Sequence, residues 1–280
     1  GFNFSNDFIM RTCLYLLDMS VSLKVETFKK ESVLKIKENW TAISKAIKDT
    51  VDLLNEFGFN SKNMISYVSV SPMVYYRYKG GSFDSDSKAE LRKYIVIAQV
   101  KQIFGAASNS ALTSIRDALK EAPTNSFSMK NLHGIRFTGD RYLRYTADEI
   151  DSMFDTYEFG AYTFMLLSLL YPNLKYSQKG FHQDHMHPFT GFEESKIKGL
   201  VLPDGTIIDE DTKEDWRRRR NTLANLQLLE RTENESKNDT PLVDWLKVAE
   251  NRENAKYLPG GISYELSNFE EFMEKRQELM

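Results

Sequence analysis

From Trp40 the apolar residues Trp40, Ile43, Ile47, Val51 and Leu54 return at steps of three and four. This is the spacing of a helix with one face on a core, and Gly58 is placed to end it. The pair Ser87 and Glu90 reads as a capping box ahead of Leu91, Ile95 and Ala98. Thr146 with Glu149 repeats the device before Ile150, Met153, Phe154 and Tyr157, and Ser267 with Glu270 before Phe272 and Leu279. Up to about residue 175 the pattern is therefore helical, with loops at Gly80-Gly81 and from Pro123 to Ser128. After Tyr176 the texture changes to short apolar pieces, LVLPDGTII and LANLQLLE, the first split by the turn Pro203-Asp204-Gly205. The pattern predicts a mainly α fold: a helical domain over 1–175, a small α/β element over 176–250, and a segment over 251–280 whose helix packs back on the helical domain.

The 280 residues are 41% hydrophobic, enough to bury a sizeable core. A net charge of −3 makes the global field mildly repulsive to nucleic acid, so a DNA partner must meet a local basic patch. Arg217 to Arg220 beside Trp216 form such a cluster, either a phosphate contact (Arg217 and Arg218 in particular) or a solvated helix face. The single cysteine, Cys13, excludes an intrachain disulfide and a cysteine-rich zinc site; it suits a cytoplasmic protein and reads as a core residue. The apolar run AYTFMLLSLLY, residues 161 to 171, is about half the ~20 residues that a membrane span needs, and reads as a buried helix. The chain opens on Gly1 without the pattern of a secretory leader, which suggests a piece of a longer protein.

Three of the four histidines, His182, His185 and His187, crowd around QDHMHP, residues 183 to 188. His133 stands apart and reads as structural. Structural zinc would want four ligands that this chain supplies poorly. Magnesium asks for only one or two protein oxygens and takes the rest from water and phosphate, and a neighbouring imidazole can take a proton from the attacking water. Asp184 would be the oxygen donor and His185 the base, although neighbours in a regular strand point to opposite faces, so a kinked strand end is required.

Together with NLQLLERTENESKNDTP, residues 225 to 241, this stretch resembles the H-N-H nuclease motif. The resemblance implies a ββα-metal element in which Asp184 and Asn234 hold the metal, magnesium or alternatively manganese. It makes His185 the general base, and Asn225 the residue that holds the loop and helps to orient that base. Lys237 would lie near the phosphate, and His187 either reaches the metal shell or phosphate or packs beside Pro188. FIMRTCLYLLD, SYVSVSPMVYYRYK, LLSLLYPN and ISYELSNFEEFMEKRQ extend the likeness over nearly the whole chain, which is similar to the C-terminal half of GmrSD-type restriction proteins. The resemblance implies defence against foreign DNA and an N-terminal ParB-like domain in the full-length protein as partner, with no membrane role. The D-G-Q-Q-R signature of that domain is absent here. Two other readings stay open: a DNA-binding or interaction scaffold whose nuclease motif is silent without the N-terminal half, and an oligomerisation module using exposed Tyr and Phe. An RNA substrate is a further alternative.

Overall fold

The computed structural model describes residues 1–105, 107–122 and 125–280. It is mainly helical, with thirteen α-helices and one two-stranded sheet among the described residues. The chain divides into two compact units, Gly1–Tyr145 and Thr146–Met280.

The first unit holds α1 (Asn6–Leu16), α2 (Lys30–Glu56), α3 (Ser71–Tyr78), α4 (Ser85–Val100) and α5 (Ser108–Glu121). α3 is the hub and packs against α1, α2 and α5, burying Met73, Val74 and Tyr75 with Leu14, Tyr15, Leu16, Leu112 and Ile115. α2 begins ten residues before the stripe that predicts it and ends ahead of Gly58, whose φ of 87° suits glycine. Its buried face is Ile43, Ala46, Thr50, Leu53 and Leu54, while Trp40 is exposed. α4 starts two residues before the expected box: Asp84 is the cap, its carboxylate accepting from the Ser87 amide at 2.8 Å. Ser87 instead meets the Tyr76 hydroxyl and accepts from the Phe127 amide, and Glu90 accepts from the Met129 amide, so both serve tertiary bonds. Cys13 is buried, and burial pushes its thiol up to about 11. The chain is irregular from Asn125 to Ser128; Pro123 and Thr124, the start of the expected loop, lie outside the described residues.

The second unit holds α6 (Ala147–Thr156), α7 (Ala161–Leu170), β1 (Phe181–His185), α8 (Glu194–Ile197), α9 (Glu210–Arg219), β2 (Leu226–Glu230), α10 (Arg231–Lys237), α11 (Leu242–Trp245), α12 (Ala249–Asn254) and α13 (Phe269–Leu279). The Thr146 and Glu149 box is formed as predicted. Residues 146–175, expected with the helical domain, belong to the unit that carries the strands. The cause is local: Gln183 of β1 accepts from the Gly160 amide and donates to the Gly160 carbonyl, and α7, apolar nearly all round, is packed on β2. No described helix is long and apolar enough to cross a membrane.

β1 and β2 pair antiparallel with Asp184 opposite Gln227 and His185 opposite Leu226, and α10 follows β2 directly, so the chain runs strand, strand, helix at this point. The segment 200–208 is not a strand pair in this sheet; it closes by a single bridge between Val201 and Ile207, both exposed, because neither side chain has a core to face.

α13 packs on this sheet's own unit. It opens at Phe269 after Asn268, whose side chain bonds Glu271, so the expected Ser267 and Glu270 box is not formed. Arg276 is fully buried; its Nη1 donates to the Ala224 and Leu226 carbonyls at 2.6 and 3.0 Å, and Nη2 to the Tyr171 hydroxyl at 3.4 Å. One side chain thus satisfies the backbone leading into β2 from a helix fifty residues downstream. Arg276→Met removes the donors and leaves both carbonyls buried and unpaired, for a cost of about 3 kcal/mol. Denaturant unfolding of the full chain should show the second unit's transition moving to lower denaturant with little change in the helical signal of the folded protein.

Candidate functional site

The Met186 amide makes the last bond in the register of β1 on β2, donating to the Asn225 carbonyl at 2.7 Å, and the pairing stops there because the Asn225 amide turns back to the Thr222 carbonyl at 3.0 Å. Asn225 then closes the turn. Its side-chain oxygen accepts from the His187 amide at 2.9 Å, and its nitrogen donates to the His187 and Arg220 carbonyls at 3.0 and 2.8 Å. The side chain is completely buried and makes every bond to backbone. It ties the loop after β1 to the turn before β2, and none of these bonds is to the His185 ring.

That ring is held by Asn221, a residue that the motif does not single out. Its Oδ1 lies 3.0 Å from His185 Nε2, and Asn221 is itself fixed by its carbonyl, which accepts from the Phe159 amide at 2.9 Å. With Nε2 as the donor of that bond, Nδ1 is the basic nitrogen. Phe159 lies parallel to the imidazole and Phe189 meets it edge-on. These groups and Glu158 line a cleft of about 280 Å³. Burial lowers the His185 pKa below its ordinary value, opposed by the Asn221 bond and by Asp184. The ring is therefore neutral near pH 7 and able to accept a proton.

Asp184 faces the other way, as strand alternation requires. It is 8% exposed, and its Oδ2 accepts from Gln227 Nε2 at 2.8 Å and pairs with Lys237 Nζ at 3.1 Å. Gln227 is its cross-strand partner, so the register itself supplies the bond. Lys237 also donates to the His185 carbonyl and lies over the Trp245 ring. Its side chain is fully enclosed, so of the two places open to it, near a phosphate or behind a metal ligand, it is seen against Asp184. Asp184 and His185 thus flank the end of β1, the carboxylate toward α10 and the imidazole toward the cleft, without a bond between their side chains.

Asn234 lies in the second turn of α10 and is half-buried. The helix is opened by Glu230 and Glu233, whose side chains form the capping box there, so capping does not explain Asn234. Its side-chain amide has no hydrogen-bond partner among the described residues, nor does Oδ1 of Asp184. A carboxylate oxygen and an amide oxygen are donor types that a hard cation takes when water and phosphate complete its shell. No group of three His, Cys, Asp or Glu able to cage a metal exists among the described residues.

Of the four arginines, Arg217 pairs with Glu194, and Arg218 and Arg219 pair with Asp215. Arg217 and Arg218, for which the sequence leaves a phosphate contact or a solvated helix face open, each have a carboxylate partner that they share with a second cation. Arg220 has no carboxylate partner among the described residues; its guanidinium covers the Phe189 ring at 3.6 Å. The sequence pattern locates the cluster, but only the fold separates the member beside the cleft from the three engaged elsewhere. His182 is exposed, and His133, in the first unit, is half-buried.

His187 is 2% exposed, with its ring edge-on to Phe269 and Phe272 of α13 at 5.6 and 4.7 Å, and its Nε2 has no partner. Strand parity would put it beside His185, but the strand has ended, and the ring turns into the core. Burial, reinforced by Lys237 and Arg276, pushes its pKa from 6.5 down to about 3. Above pH 6.5 the imidazole is neutral folded or unfolded, so it contributes no pH dependence. Between 6.5 and 3 only the unfolded chain takes the proton, and stability falls as pH falls. The loss is about 2 kcal/mol between pH 6.5 and pH 5. His187→Leu, similar in volume and without a titrating group, should flatten that part of the stability profile when the two proteins are unfolded in parallel at several pH values.

No protein-family model matches the chain, and no curated protein matches it.

Proposed function

We propose that the second unit is an H-N-H-type endonuclease that hydrolyses DNA phosphodiesters with a divalent metal, magnesium or manganese, in a cytoplasmic restriction protein of the GmrSD type. The observation that carries the reading is the strand-strand-helix element, with the anchored His185 ring and the Asp184 carboxylate on opposite faces at the end of β1 and Asn234, without a side-chain partner among the described residues, in the helix that follows. When bound there, the metal supplies Lewis-acid stabilisation of charge on the phosphate and the leaving oxygen. His185 Nδ1 takes the proton of the attacking water, and Asn221 keeps the ring in the tautomer that leaves that nitrogen free. Asn225 keeps the two residues at a strand end that cannot slide, and Arg220 offers its unpaired charge to the substrate phosphate. Lys237 holds Asp184 in place and leaves it one oxygen to give.

The same ion pair supports a second reading: with a lysine already on the carboxylate, this chain is a silent DNA-binding scaffold that becomes active only with an N-terminal ParB-like domain. Cleavage by the longer protein but not by this chain would select that reading.

His185→Ala should lower the single-turnover cleavage rate by at least ~10²-fold. Asn221→Ala, which frees the ring, should cost about tenfold in rate with KM unchanged. Near-normal cleavage by the His185 variant removes the base assignment. Asn234→Ala should raise the magnesium concentration needed for half-maximal rate by about tenfold while leaving thermal unfolding in place; an unchanged magnesium titration removes Asn234 from the metal site.

A further inference from the structure

The surface around His185 is unusually apolar for a groove that meets a phosphate backbone. Phe159 is 52% exposed and Phe189 44%. Phe159 lies parallel to the imidazole, centroids 5.6 Å apart with 8° between the planes, and Phe189 approaches it edge to face at 5.8 Å. Both rings belong to the wall of the cleft that contains His185 and Asn221, and both are anchored by backbone. The Phe159 amide bonds the Asn221 carbonyl, and the Phe189 carbonyl accepts from Arg220 Nη1 at 3.4 Å. Arg220 stacks its guanidinium on Phe189, its Nε is without a partner, and no carboxylate among the described residues pairs with it. Glu158, exposed, lines the same cleft and gives it one negative edge.

Duplex DNA turns phosphates and sugars outward and keeps its base faces stacked inside, so two phenylalanine rings beside the general base would meet little surface that they can cover. An unpaired strand turns its base faces out. Stacking of such bases on aromatic rings is tolerant of sequence, and an arginine beside the ring takes the adjoining phosphate.

We propose that this cleft binds an unpaired segment of DNA, with a base stacked on the exposed phenylalanines and the neighbouring phosphate on Arg220, so that the substrate is single-stranded or locally opened DNA. The backbone runs along the Arg220 side and away from Glu158. The cleavage part of this inference rests on the nuclease reading; the binding part does not.

The test is fluorescence anisotropy of the full chain in chelator, with a labelled oligo(dT) strand and a duplex of equal length at one salt concentration. The single strand should bind about tenfold more tightly than the duplex, Phe189→Ala should lose about tenfold in single-strand affinity, and Phe189→Trp should retain it. Phe189 is 44% exposed and outside the buried core, and a thermal scan checks that these variants fold. Equal or tighter duplex binding, or single-strand affinity indifferent to Phe189→Ala, overturns the proposal. Single-strand preference in a protein that never cleaves would leave this inference standing and sink the nuclease reading. Magnesium-dependent cleavage that is as fast on duplex as on single strands would do the reverse.

Discussion

The second unit depends on one enclosed ion pair, Lys237 to Asp184 at 3.1 Å. Taking an ammonium and a carboxylate out of water costs several kcal/mol for each ion, and only good geometry with further hydrogen bonds offsets it. Here the offsets come from three elements at once. β2 supplies Gln227 to the carboxylate, β1 supplies the His185 carbonyl to the ammonium, and α11 supplies the Trp245 ring. Lys237 ends α10, so the pair fixes that helix across both strands. A helix of seven residues is too short to be stable by itself, and this anchor explains how it keeps its place.

The chemistry of the site follows from where that anchor stops. Strand alternation sends Asp184 toward α10 and His185 away from it, and the backbone leaves the ladder one residue later, under the control of Asn225. The imidazole is then free to be positioned by a different set of residues, from the stretches before α7, after β1 and after α9: Phe159, Phe189 and Asn221, with Arg220 stacked on Phe189. Two polar functions, a carboxylate oxygen and a neutral base, come to lie on either side of one strand end without neutralising each other. α13 completes the unit by supplying Arg276 to the carbonyls before β2 and the phenylalanines around His187.

Much of this is legible in the sequence. The helical spacing before residue 175, the box at Thr146 and the buried run 161–170 all correspond to local structure that short-range chemistry determines. What sequence reasoning misses is set by tertiary contact. Asp84 rather than Ser87 caps α4, because Ser87 is drawn to Tyr76 and Phe127. His187 leaves the parity of β1 because the strand stops at His185. Lys237 goes inward because Asp184 waits there, and Arg220 is singled out from its three identical neighbours by where the acids lie. Asn221 and Gln227 carry no motif; only the register of β1 on β2 and the turn after α9 bring them to His185 and Asp184. The unit boundary at residue 145 is likewise hidden, since α6 and α7 look like the helices before them until Gln183 is seen clasping Gly160.

The ion pair is tested most directly by a double-mutant cycle on Lys237→Met and Asp184→Leu, followed by denaturant unfolding of the full chain. If the pair anchors the element, Lys237→Met alone costs about 3–5 kcal/mol because Asp184 is left buried and unpaired, and adding Asp184→Leu restores most of the loss. Losses that simply add, with no coupling between the two positions, would contradict the account.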